Sequence, residues 1–258
     1  MGVGGGSTLH TILGVSGNIV TIAFFTASTL KSAWSIVRQK GTSNIVSCWG
    51  NQLFLFMLFN CLLWVFYGLP INRPHNFWII LTNSIGAILA LVAVGAYYHY
   101  TSCKEKLIVE WELESFAGFF MILILTTIWL NTDRETRVFV VGTICVVFSS
   151  LMHLALLSEL ATAWSNKDLR RLHPIPSITA FLKGAIWTAY GWSGNDVFIV
   201  IPNGVGVATG VIQVILCIVI RRNIHKIASK GAETPDASET IHSQELAIAE
   251  TKLNILRF

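Results

Sequence analysis

Charge is what this chain of 258 residues has least of. Asp, Glu, Lys and Arg together make up 12% of it, about half the share of an ordinary soluble domain. Hydrophobic residues make up 53%, and the mean hydropathy is +0.62. Too few polar side chains remain to cover a water-facing surface. A soluble globular domain is therefore excluded and an integral membrane protein is expected. No Lys or Arg precedes the first apolar run (MGVGGGSTLH), which argues against a cleaved signal peptide. The five cysteines (Cys48, Cys61, Cys103, Cys145, Cys217) lack CxxC spacing, so neither a zinc motif nor a disulfide framework is expected. No Asn-x-Ser/Thr acceptor occurs. Nucleophile–base constellations and metal-ligand spacings are missing too, so no enzyme activity, cofactor or metal is expected.

What the chain has instead is apolar length. A helix needs about 20 mostly apolar residues to cross a bilayer. Seven segments fit: 9–30, 46–69, 77–100, 115–131, 138–162, 175–192 and 197–220. With the N-terminus outside, fourteen Lys and Arg residues fall on the inner side. Only Arg73, Arg134 and Arg137 fall outside, and Lys183 lies within a span. That bias orients the chain N-out and C-in. It also accounts for the net charge of +4; the basic residues are scattered over separate loops, so no nucleic-acid partner is expected. The polar stretch after Arg222 (GAETPDASETIHSQE) is expected to be disordered.

The spans repeat. WVFYGL at 64–69 returns as WTAYGW at 187–192, and TNSIGAILA at 82–90 returns as PNGVGVATG at 202–210. GNIV at 17–20 also resembles GTIC at 142–145. Spans one to three thus recur as spans five to seven, and a period of this size defines the fold. Three helices invert the chain across a membrane, so one extra helix is needed to make the two triplets parallel. The expected fold is all-α: two parallel triple-helix bundles joined by an inverting linker helix, a transporter architecture. The organisation is an outer segment 1–8, a first repeat 9–100, a loop and linker helix 101–132, a second repeat 138–221 and an inner tail 222–258.

Asn83 and Asn203 each lie about six residues inside the outer end of a span, roughly 9 Å deep. A carboxamide facing lipid there would leave its donors and acceptors unpaired, so each should face the bundle interior or a wet cavity. Trp64 and Trp187 lie at similar depth. Two amides and two indoles related by the repeat suit a polyhydroxyl ring: amides for hydroxyl groups, indole faces for the C–H face of a pyranose. Pro202 removes a backbone bond near the start of the last span and is a candidate hinge. Gly206 and Gly210, matched by Gly86 and Ala90, read as helix-packing positions.

The GN near the start of helix 1, LLW-x-x-YGLP at the end of helix 2 and W-x-x-YG…D-x-F-x-x-x-PNG-x-G across helices 6 and 7 resemble the plant-type SWEET sugar transporters over about residues 9–222. The resemblance implies that Asn83, Asn203 and Trp187 bind substrate, with Trp64 as the mate of Trp187. It implies that Tyr67, Tyr190 and Asp196 close the extracellular gate. Members of that family often assemble as homo-oligomers.

The pattern breaks in two places. The family usually carries a hinge proline in helices 1, 2, 5 and 6; here helices 1, 2 and 5 have none, and only Pro174 and Pro176, at the start of helix 6, remain as candidates. Lys183 lies four residues before Trp187, on the same helix face, and its repeat mate is Asn60. An ionisable group at this depth is a functional candidate, and Glu159 is its expected partner. Both Asn60 and Lys183 are counted with the substrate site. The expected function is passive, bidirectional carriage of a mono- or disaccharide of the glucose or sucrose class by alternating access. The expected setting is membrane lipid, with the plasma membrane favoured over a vacuolar or other endomembrane. A proton-coupled amino-acid carrier of PQ-loop type and a transport-impaired seven-helix scaffold or receptor stay open as alternatives, with His153 and Glu159 the candidate proton carriers.

Overall fold

Backbone in hydrocarbon has no water to bond, and a helix closes its bonds within one segment. The computed structural model describes residues 3–42, 52–73, 76–129, 133–165 and 174–231, and they form seven helical rods. The first rod is α1 (Val3–Phe25), a π-helical turn (Thr26–Leu30) and α2 (Lys31–Gln39). Next come α3 (Gln52–Gly68) and α4 (Phe77–Tyr100). The fourth rod is α5 (Cys103–Ile124) with a second π-helical turn (Leu125–Trp129). The last three are α6 (Arg134–Ser165), α7 (Pro174–Ser193) and α8 (Val197–Gly231).

Local chemistry sets several ends. Lys40 turns left-handed (φ 51°) after α2. Ser102 caps α5 by accepting the Glu105 N–H. Asp133 caps α6, accepting the Thr136 N–H at 2.9 Å and its hydroxyl at 2.6 Å. These bonds hold the exposed Asp133 carboxyl below its ordinary pKa. Asp196 begins α8 by accepting the Phe198 N–H at 3.2 Å.

Two boundaries differ from expectation. α1 is already helical at Val3, inside the segment 1–8. α8 overruns the tail boundary at 222 and ends at Gly231. No cap or proline stops α8 at Arg222, and the basic residues there suit the negative end of a helix dipole. Residues 232–258 lie outside the described residues.

The packing obeys the repeat. α3 lies along α4, and α1 against α4; α7 lies along α8, and α6 against α8. Across the boundary α1 meets α7 and α3 meets α6. Exchanging α1, α3 and α4 for α6, α7 and α8 maps this set of contacts onto itself. The linker α5 breaks the symmetry by packing on α3 and α4. Phe59 of α3 anchors it, stacking on Phe116 at 4.7 Å and meeting Phe148 of α6 edge-on at 4.9 Å.

The structure corrects one repeat register. The resemblance of GNIV to GTIC pairs Gly17 with Gly142. The contacts instead pair Gly14 with Gly142, Thr21 with Ser149 and Phe25 with His153, each 128 residues apart. A Cβ on Gly14 would strike Trp78, and one on Gly142 would strike Phe198, the repeat mate of Trp78. A Cβ on Gly86 would strike Phe25, and one on Gly206 would strike His153.

Both π-helical turns carry hydroxyl side chains that bond back to the backbone. The Ser28 hydroxyl donates to the Phe24 carbonyl at 2.7 Å, and Ser32 to Ser28 at 2.8 Å. In the second turn Thr126 donates to Ile122 at 2.8 Å and Thr127 to Leu123 at 2.6 Å. A widened turn loosens the regular ladder, and in lipid these hydroxyls supply the missing donors. The first turn lies within IAFFTASTL, where helix 1 lacks its proline.

At Gly210 α8 packs closely on α7: a Cβ there would lie 3.1 Å from the Phe181 Cα. Leucine at Gly210 should lower the melting temperature of the detergent-solubilised protein, with overpacking worth roughly 1–3 kcal/mol. Alanine at Gly95, where a Cβ meets nothing within 4 Å, should leave the midpoint unchanged or raise it. Equal midpoints for Gly210→Leu and wild type would refute this close α7–α8 contact.

Candidate functional site

Between the two bundles lies a cavity of about 470 Å³. Asn60, Trp64, Asn83, Lys183, Trp187, Pro202 and Asn203 all line it, so the residues singled out in the spans share one chamber. α3 supplies Asn60 and Trp64, and α7 supplies their mates Lys183 and Trp187. α4 supplies Asn83, and α8 supplies Pro202 and Asn203. Pro202 is buried inside a continuous α8. The side chains of Glu159, Pro174 and Pro176 lie outside the described residues.

The two asparagines behave alike. Asn83 Nδ2 donates to the Ile79 carbonyl at 2.9 Å, and Asn203 Nδ2 to the Ile199 carbonyl at 2.8 Å. Each keeps a carboxamide oxygen and one N–H for a ligand. The tryptophans also match. Trp64 Nε1 donates to Ser149 Oγ and Trp187 Nε1 to Thr21 Oγ1, both at 2.9 Å. The indole N–H groups are thus committed to the protein, and the ring faces remain for a ligand. Ser149 in turn donates to Asn60 Oδ1 at 2.8 Å.

Ser149, Thr21 and His153, all cavity-lining, were missed by the sequence reading, which treated His153 only as a proton carrier. The repeat taken in its true register would have found them, because it places Thr21 opposite Ser149 and Phe25 opposite His153. Asn18 of the GN motif has a structural bond set: Thr82 Oγ1 donates to its Oδ1 at 2.6 Å, and its Nδ2 donates to the Gly14 carbonyl at 2.8 Å.

The cavity is closed at one end and open at the other. Its walls reach Lys31, Ser32, Ser35 and Gly41, at the end of the first rod that carries Arg38 and Lys40. By the Lys and Arg bias this is the inner side. Toward the outer side Tyr67 and Tyr190 are fully buried and seal it. The Tyr67 hydroxyl donates to both carboxylate oxygens of Asp196, at 2.8 and 2.9 Å. Arg73 Nε stands 3.5 Å from Asp196 Oδ2. Arg73 counted in the sequence only as an outer charge; here it is the counter-ion of Asp196. Tyr190 is held differently. Its ring stacks on His10 at 4.0 Å, His10 Nδ1 lies 2.9 Å from Ser193 Oγ, and its hydroxyl has no partner among the described residues.

Comparison with known proteins agrees with this architecture. A family model described as "Sugar efflux transporter for intercellular exchange" matches residues 11–105 and 139–225. The bidirectional sugar transporter SWEET7b of Oryza sativa subsp. japonica is 29% identical over 227 residues, covering 88% of this chain and 84% of its own. The bidirectional sugar transporter SWEET4 of Arabidopsis thaliana is 30% identical over 207 residues, 80% of each chain. A 3.7 Å structure of a eukaryotic SWEET transporter superposes with a TM-score of 0.76 at 24% identity, covering 84% of this chain and 99% of that one. The chain therefore belongs to the SWEET family of integral membrane proteins, with its 3+1+3 helical fold.

Proposed function

We propose that this protein carries a sugar across a membrane in both directions, without chemistry on it, by exposing the inter-bundle cavity to each side in turn. One observation carries the reading. A chamber walled by two repeat-related Asn–Trp pairs opens to one side while a Tyr67–Asp196–Arg73 cluster closes the other. The relatives' names point the same way. Asn83 and Asn203 would bond hydroxyl groups, and the faces of Trp64 and Trp187 would cover the ring. Tyr67, Tyr190 and Asp196 would form the outer gate, with Pro202 a hinge of α8. The plasma membrane is the favoured site, and a homo-oligomer fits the semi-autonomous bundles.

A proton-coupled carrier is the second reading, favoured by His153 in the cavity wall. No Asp or Glu stands among the described residues of that wall, which favours facilitation.

Two measurements follow. In proteoliposomes, uptake of labelled sugar should proceed without a pH gradient, and Asn203→Ala should lower it at least about tenfold, the worth of one lost buried hydrogen-bonding group. A strict requirement for a pH gradient would favour the proton-coupled reading. The gate is tested with Cys61, a cavity residue, as the sole cysteine. Asp196→Asn keeps a good helix cap but loses the charge. It should raise labelling of Cys61 by an impermeant thiol reagent from outside by roughly tenfold, as should Tyr67→Phe. Unchanged labelling in both would remove the cluster from the gate.

A further inference from the structure

Among the described residues, Lys183 is a cation with no anion beside it. It lines the cavity one turn from Trp187, and its Nζ sits over the rings of Phe24 and Phe25 at 5.5 and 5.9 Å. It makes no hydrogen bond or ion pair among the described residues. The described cavity wall holds no Asp or Glu, and its other lysine, Lys31, stands at the inner mouth with the same sign. Two aromatic faces compensate a desolvated ammonium only in part. A charge kept at membrane depth at such cost marks a ligand or ion path.

The repeat sharpens the point. In the first half the donor chain runs Trp64 to Ser149 to Asn60, ending on a carboxamide oxygen. In the second half it runs Trp187 to Thr21. Lys183 stands where an acceptor would complete it, but an ammonium accepts nothing. The half of the cavity beside Trp187 therefore has surplus donors and surplus positive charge. A neutral sugar offers hydroxyl oxygens for the first need and nothing for the second. A carboxylate answers both with a charge-assisted bond. One lysine matches one negative charge; a phosphate dianion would want a second permanent cation at the same depth, and the described wall offers no other Lys or Arg there, only the imidazole of His153.

We propose that Lys183 forms an anion subsite beside Trp187, and that the sugar this cavity takes is a monocarboxylate, a hexuronate or a related sugar acid. The proposal rests on the transport reading above and names its substrate class. Asn60, Asn83 and Asn203 remain for the hydroxyl groups, and the indole of Trp187 covers the ring whose carboxylate reaches Lys183.

The test uses the full chain in proteoliposomes, with labelled glucose and labelled glucuronate as separate probes, together with thermal stabilisation of the detergent-solubilised protein by each. Wild type should take up glucuronate at least about tenfold faster than glucose at equal concentration, the worth of one charge-assisted bond. Lys183→Asn copies Asn60 and should reverse the preference, while Lys183→Arg keeps the charge and should keep it. Wild type that prefers glucose, with both variants lowering the two sugars alike, overturns the proposal. If neither sugar is taken up, the transport reading fails. The subsite then stands if glucuronate but not glucose stabilises wild type and fails to stabilise Lys183→Asn, and it falls if neither stabilises.

Discussion

Two indole N–H groups tie the halves of this molecule together at the depth of the cavity. Trp64 reaches from α3 to Ser149 on α6, and Trp187 from α7 to Thr21 on α1, both at 2.9 Å. Each bond crosses from one bundle to the other. Between membrane helices such a bond contributes only about 0.6–2 kcal/mol, but its value here is positional. With the N–H fixed, the indole plane is fixed, and the tyrosine above inherits its place. Tyr67 meets Trp64 edge-on at 5.4 Å, and Tyr190 meets Trp187 at 5.1 Å. The floor of the outer seal and the roof of the cavity are thus one layer of aromatic rings. In the proposed transport cycle, a rocking of one bundle against the other would part the outer tyrosines only by disturbing the rings a ligand would touch.

The outer seal does not share the symmetry beneath it. Asp196 and Asn76 are repeat mates, and each begins its helix in the same way. The Asp196 carbonyl accepts from Ile199 and Val200, and the Asn76 carbonyl from Ile79 and Ile80. Only Asp196 carries charge. It therefore does double duty, capping α8 and gathering Tyr67 from α3 and Arg73 from the loop after it. Among the described residues the Tyr190 hydroxyl bonds no acid, and its ring rests on the His10 ring. The charged contacts on the outer side gather on one carboxylate, and that carboxylate starts α8, the helix that holds Asn203.

Much of this was legible in the sequence. A carboxamide such as Asn83 or Asn203 inside an apolar run has nowhere to go but inward, so its place in the cavity followed from the cost of burying it unpaired. The WxxYG repeat likewise placed Trp64 opposite Trp187. What stayed illegible has physical causes. GNIV and GTIC match at an offset three residues from the true one. Three residues are nearly one helical turn, so the mistaken register still puts a glycine on the right face, and periodicity alone cannot tell the two apart. Thr21 and Ser149 were hidden because a hydroxyl in a membrane helix usually bonds its own backbone, as Thr188 does to Gly184. The end of α8 was misplaced because polarity marks where lipid stops and does not mark where a helix stops.

Helix 1 lacks the proline that the family resemblance implies and carries a π-helical turn instead. Proline loosens a helix by deleting a donor and crowding the carbonyl before it. A π-helical turn loosens it by inserting a residue, which widens the ladder without removing an N–H. In the first rod that widened turn falls at Thr26–Leu30, flanked by Phe24 and Phe25 on the cavity wall, with Ser28 and Thr29 lining the cavity from within it. Hydroxyl bonds from Ser28 and Ser32 satisfy the loosened carbonyls, so the break is tolerated in lipid. The same device recurs in the linker rod at Leu125–Trp129 with Thr126 and Thr127. A sequence scanned for proline reads these helices as rigid. The hydroxyls of Thr26–Thr29 and Thr126–Thr127 instead accompany the two turns whose ladder is widened, one of them in the wall of the cavity.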